Sequence, residues 1–252
     1  RRKEKVINVG EVEMELRQLC GEDFSVLYET DELLLVNKPS GIPCFHRKTT
    51  TAGKIRKSKG KEAAMAEDIS LEDALINCNV PLSTLNPEAL GLVHRLDRGS
   101  SGCMVLAKTD NMHALLVSEF FLRRTEKTYT TVVSPAPDLS IPQEGFIDQP
   151  VDGRPAKSRY RIKQRLGDAA ALLEFDIYTG RKHQIRVHAS EALSSPVYLD
   201  ALYNGKHNPH IAGSPQQKFL LHASSLRISE YGIRVEAPLP TWWGEVMASF
   251  QT

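Results

Sequence analysis

The chain has few cysteines and no long apolar run, and each shortage excludes a class of protein. Its four cysteines are widely separated among 252 residues and form no C-x-x-C pair. This pattern argues against a disulfide framework and favours small, buried apolar thiols inside the cell. No apolar stretch has the length needed to cross a bilayer, so we expect no membrane partner. A formal net charge of only +1 does not by itself mark a nucleic-acid binder.

Several signatures of catalysis and ligand binding are also missing. The sequence has no G-x-x-x-x-G-K-[ST] phosphate loop, no dinucleotide fingerprint and no G-x-S-x-G nucleophile elbow. His183 and His188 are five residues apart with no acidic ligand nearby, which argues against a zinc helix. We therefore expect no metal, and a metal-dependent phosphodiesterase is the weakest of the functional classes considered.

Positive charge is concentrated in residues 46–61. Between His46 and Lys61 there are seven basic residues and no acid, and Ile55 is the only large aliphatic residue. Such a segment cannot pack a core. It is either a solvated linker or a basic loop insertion that contacts RNA phosphates through Lys54, Arg56, Lys57 and Lys59.

The apolar periodicity predicts an α+β fold. We expect helices capped by Ser70 and by Asp110, and a third after Gly180, the second with Met112, Leu115, Leu116 and Phe120 on one face. Strands are expected over 25–37 as a hairpin, and over 102–108, 128–133, 157–163, 171–178 and 226–235. Because the strands are clustered with few helices between them, we expect a mostly antiparallel mixed central sheet with flanking helices.

Two dense polar segments carry the chemistry. The segment His94-Arg95-Leu96-Asp97 precedes a buried strand and is predicted to be a loop at its edge, although Asp97 alone could simply cap a turn. Residues 179–188 place five basic or imidazole side chains near a predicted helix start, where the helix dipole disfavours them. A phosphate or the Asp97 carboxylate should compensate this charge. Helical spacing puts Lys182 with Arg186, and Gln184 with His188, on shared faces.

Together these segments resemble the RluA-type pseudouridine synthases. The matching motifs are Asn37-Lys38-Pro39-Ser40-Gly41, His94-Arg95-Leu96-Asp97 with Ser101-Gly102, Lys127-Thr128-Tyr129 and residues 180–186. They occur in the family's order across residues 24–240. The resemblance implies the pseudouridine synthase fold with a central RNA-binding cleft, in a catalytic domain over 24–252 preceded by an N-terminal extension over 1–23. It implies isomerisation of uridine to pseudouridine in ribosomal or transfer RNA, with no cofactor and no metal.

The resemblance also assigns roles by position. Asp97 matches the catalytic aspartate, which either attacks ribose C1′ or assists removal of the C2′ proton, and a guanidinium beside it favours its ionised form. Arg186 matches the arginine that pairs with this aspartate, and Tyr129 matches a tyrosine that stacks on the target base. Arg95 matches the arginine that fills the gap left by the flipped uridine. The other expected RNA contacts are Lys38, His94, Arg181, Lys182, His183 and Gln184.

One segment departs from the family pattern. Over 196–205 the expected P-[IV]-x-G-D-x-x-Y-G is altered, because Leu199 replaces a glycine and Asn204 is an extra residue. The alternative function is a catalytically idle relative that serves as an RNA-binding scaffold or assembly factor, for example on a ribosomal precursor. Retention of Asp97, Tyr129 and Arg186 together favours the enzyme. We expect an intracellular protein, in mitochondria rather than in the cytoplasm or nucleus.

Overall fold

The computed structural model describes residues 9–46, 69–204 and 218–250. Within them, nine strands form a single sheet. The strands are β1 Ser25–Glu29, β2 Leu33–Lys38, β3 Ser101–Ala107, β4 Thr125–Val133, β5 Glu144–Ile147, β6 Ser158–Leu166, β7 Ala170–Ile177, β8 Leu221–Ile228 and β9 Ile233–Glu236. The helices are α1 Val9–Cys20, α2 Leu71–Asn77, α3 Asp110–Phe121, α4 Gln184–Val187, α5 Ala201–Asn204 and α6 Trp243–Ala248. A π-helix over His188–Ala192 continues α4, and a 3-10 turn covers Ser229–Tyr231.

The sheet has the order β1-β2-β3-β8-β4-β7-β6-β5, with β9 beside β8. The β3–β8 pair is parallel, and the other strand pairs are antiparallel. The predicted α+β fold with a mostly antiparallel mixed sheet is therefore confirmed. The parallel contact is short, pairing Ser101 with His222 and Gly102 with Ala223. It joins the two parts of the sheet next to the predicted catalytic loop.

Apolar clusters cover both faces of the sheet. All six residues of β2 are buried, and they alternate between faces as a strand requires. Leu34 and Val36 pack in the cluster that includes α1 and α2, whereas Leu33 and Leu35 pack in the cluster that includes α3. A third cluster packs α4 and its π-helical continuation against β4, β6 and β7. The loops between these layers are thus held on a rigid scaffold, as functional loops usually are.

Local start signals predicted some element boundaries correctly. The hairpin over 25–37 is present as β1 and β2, and Ser70 caps α2 through a complete capping box with Asp73. The four cysteines are free and buried, as expected. No helix within the described ranges is both long and apolar enough to span a bilayer.

Other expectations about the helices were wrong. Thr109, not Asp110, caps α3, because its hydroxyl accepts a hydrogen bond from Met112 N. Asp110 accepts hydrogen bonds from the preceding loop instead, including one from Ser83. Leu115 is 39% exposed and does not lie on the buried face of α3.

The N-terminal extension contains a helix, α1, that was not predicted from the sequence pattern. Val9, Leu16 and Cys20 of α1 are buried in the same cluster as Phe24. The apolar side chains recur at helical spacing, but the acidic residues between them concealed the pattern. Residues 9–20 therefore pack on the sheet as part of the folded domain.

Candidate active site

The loop that carries Asp97 is fixed on both sides. The His94 ring stacks on Phe120 at a centroid distance of 4.6 Å, and its Nε2 accepts a hydrogen bond of 3.0 Å from Val105 N. Leu96 is buried, and its backbone N–H and C=O both contact the Cys44 thiol. Asp97 therefore projects from a segment that is anchored immediately before it.

A glycine allows the strand after this loop to approach β8 closely. Gly102 has φ +115°, and a Cβ atom built there would lie 2.3 Å from the carbonyl oxygen of Ala223. No other residue type fits this position without moving the backbone. Beside it, Ser101 Oγ and His222 Nδ1 are 2.8 Å apart. The Ser101-Gly102 pair of the motif thus sets the distance between β3 and β8.

Asp97 and Arg186 meet, as the excess charge near the start of α4 predicted. Arg186 Nη1 donates a hydrogen bond of 3.1 Å to Asp97 Oδ2. The guanidinium lies between two aromatic rings, 4.9 Å from the Tyr203 centroid and 4.5 Å from the Phe219 centroid. Ring contacts of this kind hold a flat guanidinium in one plane, and its hydrogen-bond partners set its orientation within that plane.

A second carboxylate holds the other edge of Arg186. Asp200 is 1% exposed and accepts hydrogen bonds from Arg186 Nε at 2.5 Å and from Nη2 at 2.8 Å. Burial opposes the charged guanidinium, but the hydrogen bonds and charges of Asp200 and Asp97 outweigh it and raise the pKa of Arg186. Arg186 is thus a fixed cation between two carboxylates.

His183 lies on the other side of Asp97. Its Nε2 is 3.7 Å from Asp97 Oδ1, and its Nδ1 is 3.1 Å from the Tyr203 hydroxyl. Its backbone has φ +57°, so the helix begins only at Gln184. Lys182 is therefore outside the helix and exposed, and the prediction that it shares a helical face with Arg186 was wrong.

Tyr129 completes the pocket. It lies on β4 and lines one pocket together with Arg95, Asp97 and Arg181. Burial, reinforced by the charge of Asp97, raises the pKa of Tyr129, so its hydroxyl keeps its proton at neutral pH. The three residues predicted to be catalytic are thus brought to one place by β4, α4 and the loop before β3.

Gln184 and His188 share a face, as their spacing predicted, but that face is turned inward. Gln184 Nε2 donates to Ser158 Oγ, and the same oxygen lies 3.0 Å from His188 Nδ1. His188 Nε2 is 2.9 Å from the carbonyl oxygen of Gln149, which can only accept, so that nitrogen carries the proton. These bonds fasten α4 to β6. Gln184, a predicted RNA contact, is 3% exposed and anchors the helix.

Lys38 and His94, two further predicted RNA contacts, are both held by groups of the protein. Lys38 is fully buried, and its ammonium donates to the carbonyls of Pro39 and Ile42. Burial lowers the pKa of Lys38 to about 8. The His94 ring is held between Phe120 and β3 as described above. Burial and the charge of Lys127 lower the pKa of His94 to about 3, so it stays neutral.

The remaining predicted RNA contacts lie at the surface of the site or outside the described residues. Arg95 is exposed, with its guanidinium carbon 5.3 Å from the Phe45 ring centroid. Arg181 is half-exposed beside the pocket, and its Nε donates to Pro155 O. The basic residues Lys54, Arg56, Lys57 and Lys59 fall outside the described residues.

No role was predicted from the sequence for Asp200 or Tyr203. A signal was available, because both belong to the 196–205 segment that matched the family pattern with two departures. Leu199, which replaces the expected glycine, has φ +66°. The backbone therefore keeps the left-handed conformation that a glycine would adopt without strain.

The fold and the site are those of one protein family, and comparison with known proteins identifies that family. A family model described as RNA pseudouridylate synthase matches residues 32–191, and the chain belongs to this family. It is 32% identical over 244 residues to ribosomal large subunit pseudouridine synthase D of Xanthomonas campestris pv. campestris, covering 86% of this chain and 66% of that one. It is 31% identical over 238 residues to the chloroplastic RNA pseudouridine synthase 2 of rice, Oryza sativa subsp. japonica, covering 76% of this chain and 53% of that one.

A solved structure shares the fold. The human RNA pseudouridylate synthase domain containing 4 is 21% identical, with a TM-score of 0.67 and coverage of 97% of this chain and 98% of that one. The chain spans about two thirds of the length of the Xanthomonas relative and about half that of the rice relative. Among the described residues, no group of histidine, cysteine or carboxylate side chains could hold a metal ion.

Proposed function

We propose that this protein isomerises uridine to pseudouridine in structured ribosomal or transfer RNA, with Asp97 as the catalytic carboxylate and without a cofactor. The contact between Asp97 and Arg186 carries this proposal. It brings together two motifs that are far apart in the chain and gives the carboxylate a fixed cationic partner. Membership of the RNA pseudouridylate synthase family supports the same reaction.

The geometry leaves one carboxylate oxygen of Asp97 available for chemistry. Oδ2 accepts from Arg186, whereas Oδ1 has no hydrogen-bond donor among the described residues. In the isomerisation the N1–C1′ bond breaks, the C5–C1′ bond forms, and the proton lost from C5 is replaced by one on N1. Oδ1 can attack C1′ or take the C2′ proton, and the hydrogen bond from Arg186 holds the carboxylate in place for either route.

Tyr129 is proposed to face the base. Its ring lines the pocket beside Asp97, and its hydroxyl stays protonated. A ring in this position can stack on a uracil extruded from the RNA, and its hydroxyl can take part in moving the C5 proton. Arg95 is exposed at the pocket and can occupy the space left by the flipped nucleotide.

The test is to replace Asp97 and map pseudouridines. Asp97→Asn preserves the shape of the side chain but removes its charge and nucleophilicity, so purified variant protein should bind RNA and form no pseudouridine. Tyr129→Phe should keep stacking, so its loss of rate reports the hydroxyl alone. Asp168→Asn, an exposed carboxylate in the turn between β6 and β7, is the matched control and should be fully active. Conversion of uridine by Asp97→Asn would refute the assignment.

The same experiment tests the scaffold alternative. RNA from cells that lack the protein should miss pseudouridines that the wild type restores and Asp97→Asn does not. If wild type and Asp97→Asn both restore assembly of a ribosomal precursor, and no uridine changes, the protein is a scaffold. We also propose a mitochondrial location; the rice relative, named as chloroplastic, is an example of a similar protein assigned to an organelle. Imaging of the tagged full-length protein checks it, and a nuclear or cytoplasmic signal would overturn it.

A further inference from the structure

His183 lies beside the carboxylate oxygen of Asp97 that Arg186 leaves open. Arg186 donates to Oδ2, whereas His183 Nε2 is 3.7 Å from Oδ1, a distance longer than a hydrogen bond. The side chains of His183 and Asp97 are 19% and 21% exposed, and both line the pocket that also contains Tyr129. His183 was expected to contact RNA, and its position identifies which atoms of RNA it can reach.

The surroundings of the imidazole fix which of its nitrogens carries the proton. Burial lowers the pKa of His183, although the charge of Asp97 opposes this, so the ring is mainly neutral at neutral pH. A neutral imidazole has one N–H, and the carboxylate of Asp97 can only accept, so the proton belongs on Nε2. Nδ1 then accepts from the Tyr203 hydroxyl at 3.1 Å, and burial raises the pKa of Tyr203, which keeps its proton. His183 thus presents an N–H donor to the pocket beside Oδ1.

The loop before α4 holds His183 in an unusual backbone conformation. Its φ of +57° is unfavourable for a residue with a side chain, and such conformations are concentrated at functional sites. The side chain of Gln184 closes this loop, because its Oε1 accepts hydrogen bonds from Thr179 Oγ1 at 2.7 Å and from Arg181 N at 3.0 Å. The imidazole is therefore held in this position by the protein alone.

The proposed reaction brings a ribose hydroxyl close to this donor. Whether Asp97 Oδ1 attacks C1′ or takes the C2′ proton, it must come to about 3–3.5 Å from one of these two carbons. The 2′-oxygen is bonded to C2′ and is two bonds from C1′, so it lies next to Oδ1 in either route. A hydroxyl both donates and accepts, and the 2′-oxygen can therefore accept from Nε2–H of His183.

We propose that Nε2–H of His183 binds the 2′-hydroxyl of the target uridine, with Tyr203 holding the imidazole in the required tautomer. The inference rests on the proposed function and refines its substrate. The 2′-hydroxyl is the group by which a protein distinguishes RNA from DNA at a given position. The pocket thus selects ribose over deoxyribose at the nucleotide that reacts, whatever the sequence around it.

The test compares uridine 5′-monophosphate with 2′-deoxyuridine 5′-monophosphate, two probes that differ by one oxygen. Heteronuclear NMR gives Kd from the backbone amide shifts of pocket residues, and the ring signals of His183 show which nitrogen carries the proton. Wild-type protein should carry the proton on Nε2. It should bind the ribonucleotide roughly 3-fold to 10-fold more tightly than the deoxyribonucleotide, which is the contribution of one neutral hydrogen bond.

Three variants separate this hydrogen bond from effects on the fold. Asparagine tolerates the left-handed backbone, but its amide occupies the position of Nδ1, so His183→Asn should bind both nucleotides equally. A glutamine amide reaches the position of Nε2, so His183→Gln should keep the preference for the ribonucleotide. Tyr203→Phe keeps the ring against Arg186 but lacks the hydroxyl, so the preference should decrease and both tautomers should be present.

His46→Gln is the matched control. His46 Nε2 is also 3.7 Å from a carboxylate oxygen, that of Asp73, but His46 does not line the pocket, so this variant should keep the wild-type preference. A merely structural role of His183 would weaken the binding of both nucleotides alike. The proposal is overturned if His183→Asn keeps the preference, if the wild type has none, or if neither nucleotide shifts the pocket signals up to its solubility limit.

These outcomes are distinct from those that test the reaction, because binding is measured without turnover. If Asp97→Asn still formed pseudouridine in RNA while His183→Asn lost the preference, the catalytic role of Asp97 would be wrong and the 2′-hydroxyl contact would stand. If Asp97→Asn were inactive while His183→Asn kept the preference, only the 2′-hydroxyl contact would be wrong.

Discussion

Replacing Asp200 tests whether the second carboxylate holds Arg186 in place. The Arg186 and Asp200 side chains are only 7% and 1% exposed and share two hydrogen bonds. Removing one partner of a buried ion pair costs about 3–5 kcal/mol. Asp200→Asn keeps one oxygen that can accept from Arg186, and Asp97 still compensates part of the charge. We therefore expect a loss of about 2–3 kcal/mol in the free energy of unfolding, roughly 5–10 °C in Tm.

The catalytic effect should exceed what the loss of stability explains. Without the charge of Asp200, the guanidinium can turn and donate to both oxygens of Asp97, which ties up Oδ1. We expect kcat to fall while KM stays near the wild-type value, because the groups that contact RNA are unchanged.

Urea denaturation and steady-state kinetics measure the two effects separately. Glu126→Gln is the control, because Glu126 pairs with Arg227 at the surface with both side chains more than half exposed. A pair of this kind contributes about 0–1 kcal/mol. If Asp200→Asn matched Glu126→Gln in both assays, Asp200 would not hold Arg186 in the way described.

Two further predictions concern stability. Unfolding free energy should fall as pH decreases from 6.5, because His94, with a pKa of about 3, stays neutral when folded while the unfolded chain gains a proton. The slope is about 1.4 kcal/mol per pH unit for each such histidine. In His94→Gln, the dependence of the unfolding free energy on pH should lose the contribution of this one histidine. Urea titrations that give the wild-type slope for the variant would refute the prediction. Leu199→Gly should be about 1 kcal/mol more stable than Leu199→Ala, because only alanine is strained in the left-handed backbone conformation at this position. If denaturation experiments gave the reverse order, the backbone at φ +66° would not be strained.

Elements with local signals could be predicted from the sequence. The hairpin turn around residues 30–32 and the capping box at Ser70 depend on neighbouring residues, and both were correct. The cap of α3 was not, because Thr109 and Asp110 are both good capping residues and the choice depends on Ser83, which is distant in sequence. The residue at which α4 begins was also not predicted, because His183 adopts a left-handed backbone conformation that a histidine in the sequence does not indicate.

The candidate site was predictable where its residues lacked a local partner. Five basic or imidazole residues near one helix start required an anion, and Asp97 in its loop required a cation, so their meeting followed from charge balance. The burial of Lys38 and Gln184 did not follow from the sequence. The Lys38 ammonium donates to the carbonyl of the adjacent Pro39, and the Gln184 amide donates to the Ser158 hydroxyl on β6. Sequence shows that a side chain is polar, but only the fold shows whether its partner is water, RNA or buried backbone.

Leu199 departs from the family pattern, and this departure helps to distinguish an enzyme from an RNA-binding scaffold. Replacing the expected glycine puts a leucine at φ +66°, which costs about 1–2 kcal/mol. Despite this cost, the next residue, Asp200, makes both hydrogen bonds to Arg186. A surface that only binds RNA needs the positive charge of arginine turned outward, not buried between two carboxylates and two rings. The strained backbone thus maintains an orientation of Arg186 that is useful to the Asp97 carboxylate, and this favours the enzyme over the scaffold.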